Sequence, residues 1–264
     1  MNLHLLIIDA QHSFCNPNGA LFVPGADQDV IRLSNMVDRL KMKIDDIHVT
    51  LDSHNEVDIA HPIFWINNKG EHPDPFTIIS VDDVVNGVWS TTNPACRKRA
   101  TAYVRALDAN GRYPLCIWPP HCIIGTEGCT IEQPLADRLS EWCRDRFKKI
   151  NYVVKGSNIF TEHYSAIQAD VIDPKDPTTM LNTGFTDILA EADQILIAGQ
   201  ALSHCVANTV TDIINVFGES NVSKLVLLED ACSNVPTFES FGDDFIKMAT
   251  GKGMKIANTV DFLA

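Results

Sequence analysis

Four short apolar runs in this chain are each followed at once by residues that can carry charge or attack a carbon. Ile8 leads into Asp9, Leu51 into Asp52-Ser53-His54, and Val154 into Lys155-Gly156. Residues 195–198 lead into Gly199-Gln200-Ala201-Leu202-Ser203-His204-Cys205. A carboxylate, an ammonium and a thiol in one pocket are the parts of nucleophilic catalysis, namely a proton acceptor, a stabilising charge and an attacking sulfur. Cys205 falls in the first turn of a helix predicted over residues 206–217. The dipole and free N–H groups of such a turn lower a thiol pKa and can hold an oxyanion. Gly199 and Ala201 are small, which lets a substrate approach the backbone. Asp52 and His54, with His121 from Trp118-Pro119-Pro120-His121-Cys122, offer a carboxylate and imidazoles. That donor set leaves positions open on a divalent metal. His61 is either a further ligand or a partner behind the ligands. Taken singly, each residue also has an ordinary use: an Asp after a strand shapes a turn, and a Cys packs as a small hydrophobe.

Chemistry of this kind needs elements that deliver these loops to one rim. Residues 5–8, 47–51, 152–154, 195–198 and 225–228 are apolar, β-branched runs of strand length, unbroken except for His48 and Thr50 in the second. The pattern predicts strands buried on both faces, as in a parallel sheet covered by helices. Val30, Leu33, Val37, Leu40 and Ile44 recur at helical spacing, as do Val206, Val210, Ile213, Ile214 and Phe217 before Gly218. Further helices are predicted at about 132–147 and near 97–107. Alternating strands and helices give a doubly wound α/β domain, whose ligands bind at the carboxyl ends of the strands where strand order reverses. Residues 67–113 fit least well and read as an insertion. It is a lid, an oligomer contact, or a solvated excursion with its own small packing.

Composition narrows the function classes. The chain has 264 residues, with 21 Lys and Arg against 34 Asp and Glu, a net charge of −13. An acidic surface argues against nucleic-acid binding and against docking on an anionic membrane. No apolar run approaches the ~20 residues of a membrane span. The opening Met-Asn-Leu-His-Leu-Leu-Ile-Ile-Asp lacks the basic start of a secretory signal, so a cytoplasmic protein is expected. On that footing the eight cysteines are not a disulfide framework. No G-x-G-x-x-G follows the first strand, which rules out a Rossmann dinucleotide site.

Taken in order, these segments resemble the cysteine-hydrolase superfamily of nicotinamidases and isochorismatase-like hydrolases. Asp9-Ala10-Gln11 with Phe14 looks like that family's D-x-Q-x-x-F, and Asp52-Ser53-His54 like its D-x-H metal motif. Trp118-Pro119-Pro120-His121-Cys122 with Gly125-Thr126 and Gly128 is similar to W-P-x-H-C-x-x-G-T-x-G. Lys155-Gly156 with Tyr164-Ser165-Ala166, and the segment from Gly199 to Val206, complete the set.

The resemblance implies a single three-layer α/β/α domain over residues 1–264, with a mostly parallel sheet of order 3-2-1-4-5-6 and an insertion at about 67–113. It implies a catalytic triad of Asp9, Lys155 and Cys205. It implies a cis peptide before Ala201 and an oxyanion hole from the Ala201 and Cys205 N–H groups. A divalent metal, zinc first and iron or manganese next, would sit on Asp52, His54 and His121. Phe14, Trp118 and His204 would line the substrate pocket, though Phe14 and Trp118 serve equally as core. The expected partners are a small amide and further copies of the chain.

Departures from nicotinamidases are Leu202-Ser203 for Thr-Asp, His204 for a Tyr, and Asn55–Pro62 in place of a short His-containing run. They leave two alternatives open beside nicotinamidase-like amide hydrolysis. One is a metal-free hydrolase of another amide, ureide or carbamoyl compound. The other is a non-catalytic binding scaffold.

Overall fold

The computed structural model describes residues 1–111 and 113–263; Arg112, within the predicted insertion, and Ala264 lie outside the described residues. In chain order the principal elements are β1 (Leu3–Ile8), α1 (Ala26–Leu40), β2 (Asp46–Asp52), α2 (Arg97–Asn110), α3 (Leu135–Arg146) and β3 (Asn151–Lys155). They continue with α4 (Thr183–Ala190), β4 (Gln194–Gly199), α5 (Ala207–Phe217), β5 (Leu225–Leu228), α6 (Glu239–Gly251) and β6 (Lys255–Ala257). The central sheet has six strands in the order β6-β5-β4-β1-β2-β3, with every neighbouring pair parallel. Counted from the other edge this is 3-2-1-4-5-6, as the resemblance implied. Strand order reverses between β1 and β4, so their carboxyl ends open the crevice where an α/β sheet binds ligands.

The runs in β1, β2, β4 and β5 are strands covered on both faces. All residues of β1 and of β5 are buried. α1 packs against α3, while α5 packs against α4 and α6, and these form the helix layers. α1 buries Val30, Leu33, Val37 and Leu40 on one stripe, the face that the spacing of three and four predicts. Ile44 is fully buried but lies outside the helix, which stops at Leu40; its N–H closes a turn onto the Leu40 carbonyl. α5 stops at Gly218, which takes a positive φ of 69°.

Two expectations need correction. β3 is not buried on both faces: it is an edge strand paired only to β2, and Tyr152 and Val154 are 51% and 60% exposed. Only Val153 and Lys155, which point the other way, are buried. β6 was not foreseen, because Lys255-Ile256-Ala257 is too short and too exposed to leave an apolar signature.

Within the 67–113 segment, the helix α2 is packed onto the body of the chain, whereas most residues of 67–99 are exposed. The helix buries Ala100, Tyr103, Val104 and Leu107. Arg99 stacks 3.6 Å above Phe160 and pairs with Asp173 at 2.5 Å, and Asn110 donates to the Asp170 carbonyl. The helix thereby braces the loop that follows β3. All eight cysteines are free thiols, and no helix among the described residues is long and apolar enough to cross a membrane.

Candidate active site

Asp9 follows the last residue of β1 and takes a φ of 46°, in the left-handed region that non-glycine residues seldom visit. Its carboxylate is fully buried and accepts from the Thr50 hydroxyl of β2 at 2.5 Å. Lys155, the last residue of β3, brings its ammonium 2.8 Å from Asp9 Oδ2 and 3.1 Å from Asp52 Oδ1. The same ammonium lies 3.6 Å from Cys205 Sγ. Asp9, Asp52 and Cys205 present atoms within 4.8 Å of one another. Four strand ends thus converge on one buried point. Behind them, Gly199 lets β4 lie close to β1: a Cβ at this position would meet the Ile8 carbonyl oxygen at 1.9 Å.

Cys205 does not sit in the first turn of the α-helix. It lies in a wider π-helical turn, Leu202–Val206, that precedes α5. Its thiol is not depressed either: burial pushes it well above its ordinary value, Lys155 pulls it back, and Asp9 opposes Lys155. In this dry setting desolvation of the sulfur anion outweighs the cation beside it. Burial likewise raises Asp9 despite Lys155, giving a stronger base than an ordinary carboxylate. Burial works against the Lys155 ammonium, but Asp52 and Asp9 outweigh it and hold it charged. The resting pocket therefore holds a protonated sulfur beside a poised base. The peptide between Gln200 and Ala201 is cis, and the Gln200 side chain is tied to Asp29 and Ser233.

Asp52, His54 and His121 also converge, with donor atoms within 4.8 Å of one another. Asp52 Oδ2 lies 3.1 Å from His54 Nε2 and 3.6 Å from His121 Nε2. The 118–124 segment runs beside His54: the His54 N–H donates to the Cys122 carbonyl, and Ile124 N–H to the His54 carbonyl. His121 Nδ1 donates to the Pro119 carbonyl at 2.9 Å, so Nε2 carries the lone pair and faces Asp52. His54 Nδ1 pairs with Asp58 Oδ2 at 3.1 Å, the carboxylate–histidine arrangement found behind metal ligands. His61 is fully buried, its ring 5.3 Å from that of His54, and its Nε2 has no partner among the described residues. Burial lowers its pKa to about 4, so it is a neutral imidazole. Burial holds the His121 imidazole neutral, whereas Asp52 and Asp58 outweigh burial at His54 and favour its charged form, a proton that a divalent metal would replace. A carboxylate, two imidazoles and an orphaned ring nitrogen beside them suit such a metal. Gly156 keeps this place open, since a Cβ there would lie 2.6 Å from Asp52 Oδ1.

Both groups of residues open on one cavity. Its walls include Phe14, Trp118, His204, Cys205, Asp52 and His121. Room for a water-sized body is about 30 Å³, within a hollow of about 370 Å³ that includes its open mouth. Phe14 meets the His121 ring edge-on at 5.3 Å, and the Trp118 indole donates to the Tyr164 hydroxyl. His204 is caged by Tyr113, Trp118, Tyr164 and Phe238. Burial drives its pKa to about 3, so it too is neutral. The residues that motif reading missed are Asp58, Glu162, Tyr103 and Tyr113. Asp58 stands one helical turn's spacing after His54 and could have been found as its partner. The others had no such signal.

No family model matches the chain. Among curated proteins it is similar to the nicotinamidase of Escherichia coli, 26% identical over 238 residues, 88% of this chain and 83% of that one. It is also similar to the nicotinamidase of Saccharomyces cerevisiae, 24% identical over 207 residues and 78% of each chain. The structure of the yeast enzyme bound to the inhibitor nicotinaldehyde superposes with a TM-score of 0.64 at 19% identity, covering 97% of this chain and 99% of the other. The pyrazinamidase of Pyrococcus horikoshii in complex with zinc gives 0.58 at 19% identity, covering 98% and 99%. The structural likenesses establish the fold. With the sequence matches they bear out the resemblance read from the motifs.

Proposed function

We propose that this chain, which carries the fold and motif order of the nicotinamidase/isochorismatase-like superfamily, is an amidohydrolase. It cleaves a small aromatic or heterocyclic carboxamide to the acid and ammonia. The observation that carries this reading is the Lys155 ammonium, 2.8 Å from Asp9 and 3.6 Å from the sulfur of Cys205, a residue that lines the cavity.

Asp9 takes the proton of Cys205 as the sulfur attacks the amide carbon. Lys155 stays charged and steadies both anions. The N–H groups of Ala201 and Cys205 hold the oxyanion. As the C–N bond breaks, Asp9 returns the proton to the leaving nitrogen, and ammonia departs. Water then attacks the thioester, with Asp9 again as the base, releasing the acid and restoring the thiol. Phe14, Trp118 and His204 wall a flat pocket, and lining side chains must move for a ring to enter. Asp52, His54 and His121 would hold a divalent metal, zinc first and iron or manganese next, whose chemistry is that of a Lewis acid orienting substrate or water. With this reading go a cytoplasmic location and a homo-oligomer, which rest on composition and resemblance.

The test is ammonia release from nicotinamide, pyrazinamide and other small amides, with and without added metal. The wild-type protein is expected to turn over at least one of them, and Cys205→Ala none. Turnover by Cys205→Ala at the wild-type rate would end the reading.

A further inference from the structure

Ala201 presents the N–H on which the oxyanion of that mechanism rests, and it lines the cavity beside Cys205. This N–H has no acceptor among the described residues. The residues on either side of it are held, and their ties lead to one carboxylate, that of Asp29. Before Ala201, the Gln200 N–H donates to the Ile8 carbonyl at 2.7 Å, and the Gln200 side-chain amide donates to Asp29 Oδ2 at 2.8 Å. After it, the Leu202 N–H donates to the Ser233 carbonyl at 2.8 Å. Ser233 closes the circuit: its hydroxyl donates to Asp29 Oδ2 at 2.6 Å, and its N–H to Gln200 Oε1 at 3.2 Å. Asp29 lies in the first turn of α1 and is 3% exposed. Its other oxygen pairs with the Arg32 guanidinium at 2.6 Å.

An N–H stabilises an oxyanion only where it points at the atom on which charge develops, and a misplacement of about 1 Å can cost about a hundredfold in rate. A carboxylate near that atom opposes the charge, so Asp29 serves as a hydrogen-bond acceptor, with Arg32 offsetting its charge. We propose that Asp29 is a positioning residue for the oxyanion site. Through Gln200 and Ser233 it fixes residues 200–202, and with them the direction of the Ala201 N–H. The proposal rests on the amidohydrolase reading and deepens it. α1 is thereby joined to the loops after β4 and β5, and a residue of the helix layer acts on the chemistry without touching substrate.

The test separates aim from fold. Steady-state kinetics are measured with added zinc on nicotinamide or pyrazinamide, whichever the wild type hydrolyses faster. The variants are Asp29→Ala, Asp29→Asn, Gln200→Met and the Asp29→Ala/Gln200→Met pair, each checked for folding by circular dichroism. Nicotinaldehyde is titrated as an inhibitor. The Cys205 sulfur adds to its carbon, the carbonyl electron pair moves to oxygen, and the thiol proton passes to Asp9, so its affinity reads the oxyanion site. Asp29→Ala is expected to lower kcat at least about thirtyfold with KM within about threefold, and to weaken nicotinaldehyde at least about tenfold. Asp29→Asn should keep kcat within about fivefold, because its oxygen still accepts two hydrogen bonds and the partly exposed Arg32 can turn from the new N–H. Gln200→Met should reproduce the split, and the pair should lose little beyond Asp29→Ala, since both cut one connection. Gln200→Met carries the test if Asp29→Ala does not fold. A wild-type kcat in either folded variant overturns the proposal and leaves the hydrolase reading standing. So does a loss confined to KM, equal damage by asparagine and alanine, or losses that multiply in the pair. A wild-type protein that hydrolyses no amide of the panel overturns the hydrolase reading, and this proposal with it.

Discussion

Gln11 holds Asp52 by both groups of its peptide. The Gln11 side-chain amide donates to the Asp52 carbonyl at 2.7 Å and accepts from the Asp52 N–H at 2.8 Å. Both residues are buried, so the glutamine two places after Asp9 works on the backbone of the metal-motif carboxylate and not on a substrate. Replacing it with leucine leaves two buried peptide groups unpaired, at about 1–3 kcal/mol each. Gln11→Leu is expected to lower the unfolding free energy of metal-free protein by about 2–6 kcal/mol, read from urea denaturation. An unmoved midpoint would show that water replaces the clasp without loss.

Lys155 separates two carboxylates that would otherwise face each other in a dry pocket. Its contacts to Asp9 and Asp52 are 2.8 and 3.1 Å. Removing one partner of a buried ion network typically costs about 3–5 kcal/mol. Lys155→Met should therefore lose stability on that scale and lower kcat/KM at least about a hundredfold. Retention of either property measures how far the ammonium is dispensable, and retention of both would remove it from the proposed machinery.

Asp58 orients His54 from behind, Oδ2 to Nδ1 at 3.1 Å, while its Oδ1 accepts from the Ala60 N–H. Substitution of such a partner commonly weakens metal binding by about 10–100-fold. Asp58→Asn is expected to do so, measured by competition with a zinc chelator, with little change in the melting temperature of the metal-free protein. Equal zinc affinity in variant and parent would show that packing alone orients the ring.

A separate histidine pair at the amino ends of the strands sets a pH limit on stability. His48 of β2 meets His4 of β1, Nε2 to Nδ1 at 3.0 Å, and both are buried. Burial, aided by His4, lowers His48 to about 4. The unfolded chain holds this proton up to about pH 6.5, the folded chain only below about 4. Between those values the unfolded state binds more protons, so the stabilisation from neutral His48 is complete above pH 6.5 and is lost as pH falls toward 4. The loss from this group is about 3 kcal/mol. Denaturation midpoints of wild type and His48→Gln, compared from pH 7 to 4.5, should show a shallower acid slope in the variant. Parallel slopes would place the proton uptake elsewhere.

The strands and helices that position the site were readable because burial on both faces leaves an unbroken apolar run, and burial on one face leaves a helical stripe. β1 and β5 are fully covered and were plain. β3 was found but misjudged, since a run of three residues looks the same at a sheet's edge as in its middle. β6 has too little apolar surface to leave a trace. Asp9, Asp52, His54, Lys155 and Cys205 were legible as motif residues after those runs, and His121 within its own proline-fixed motif. The pKa of Cys205 was not, because a helix start argues for a lowered thiol while the depth of burial argues the other way.

The sequence by itself determined which residues end the strands, and hence which charged groups share the sheet's carboxyl rim. Only the tertiary structure decided how dry that rim is, that α2 braces the loop after β3, and that the Glu162 carboxyl is enclosed in the cavity wall with one oxygen unpaired. The reason is physical. Periodicity records burial of whole elements, summed over many residues, whereas the environment of a single polar group is set by side chains that meet it from distant parts of the chain. Tyr103 lies 59 positions from Glu162, and no local pattern announces that they touch.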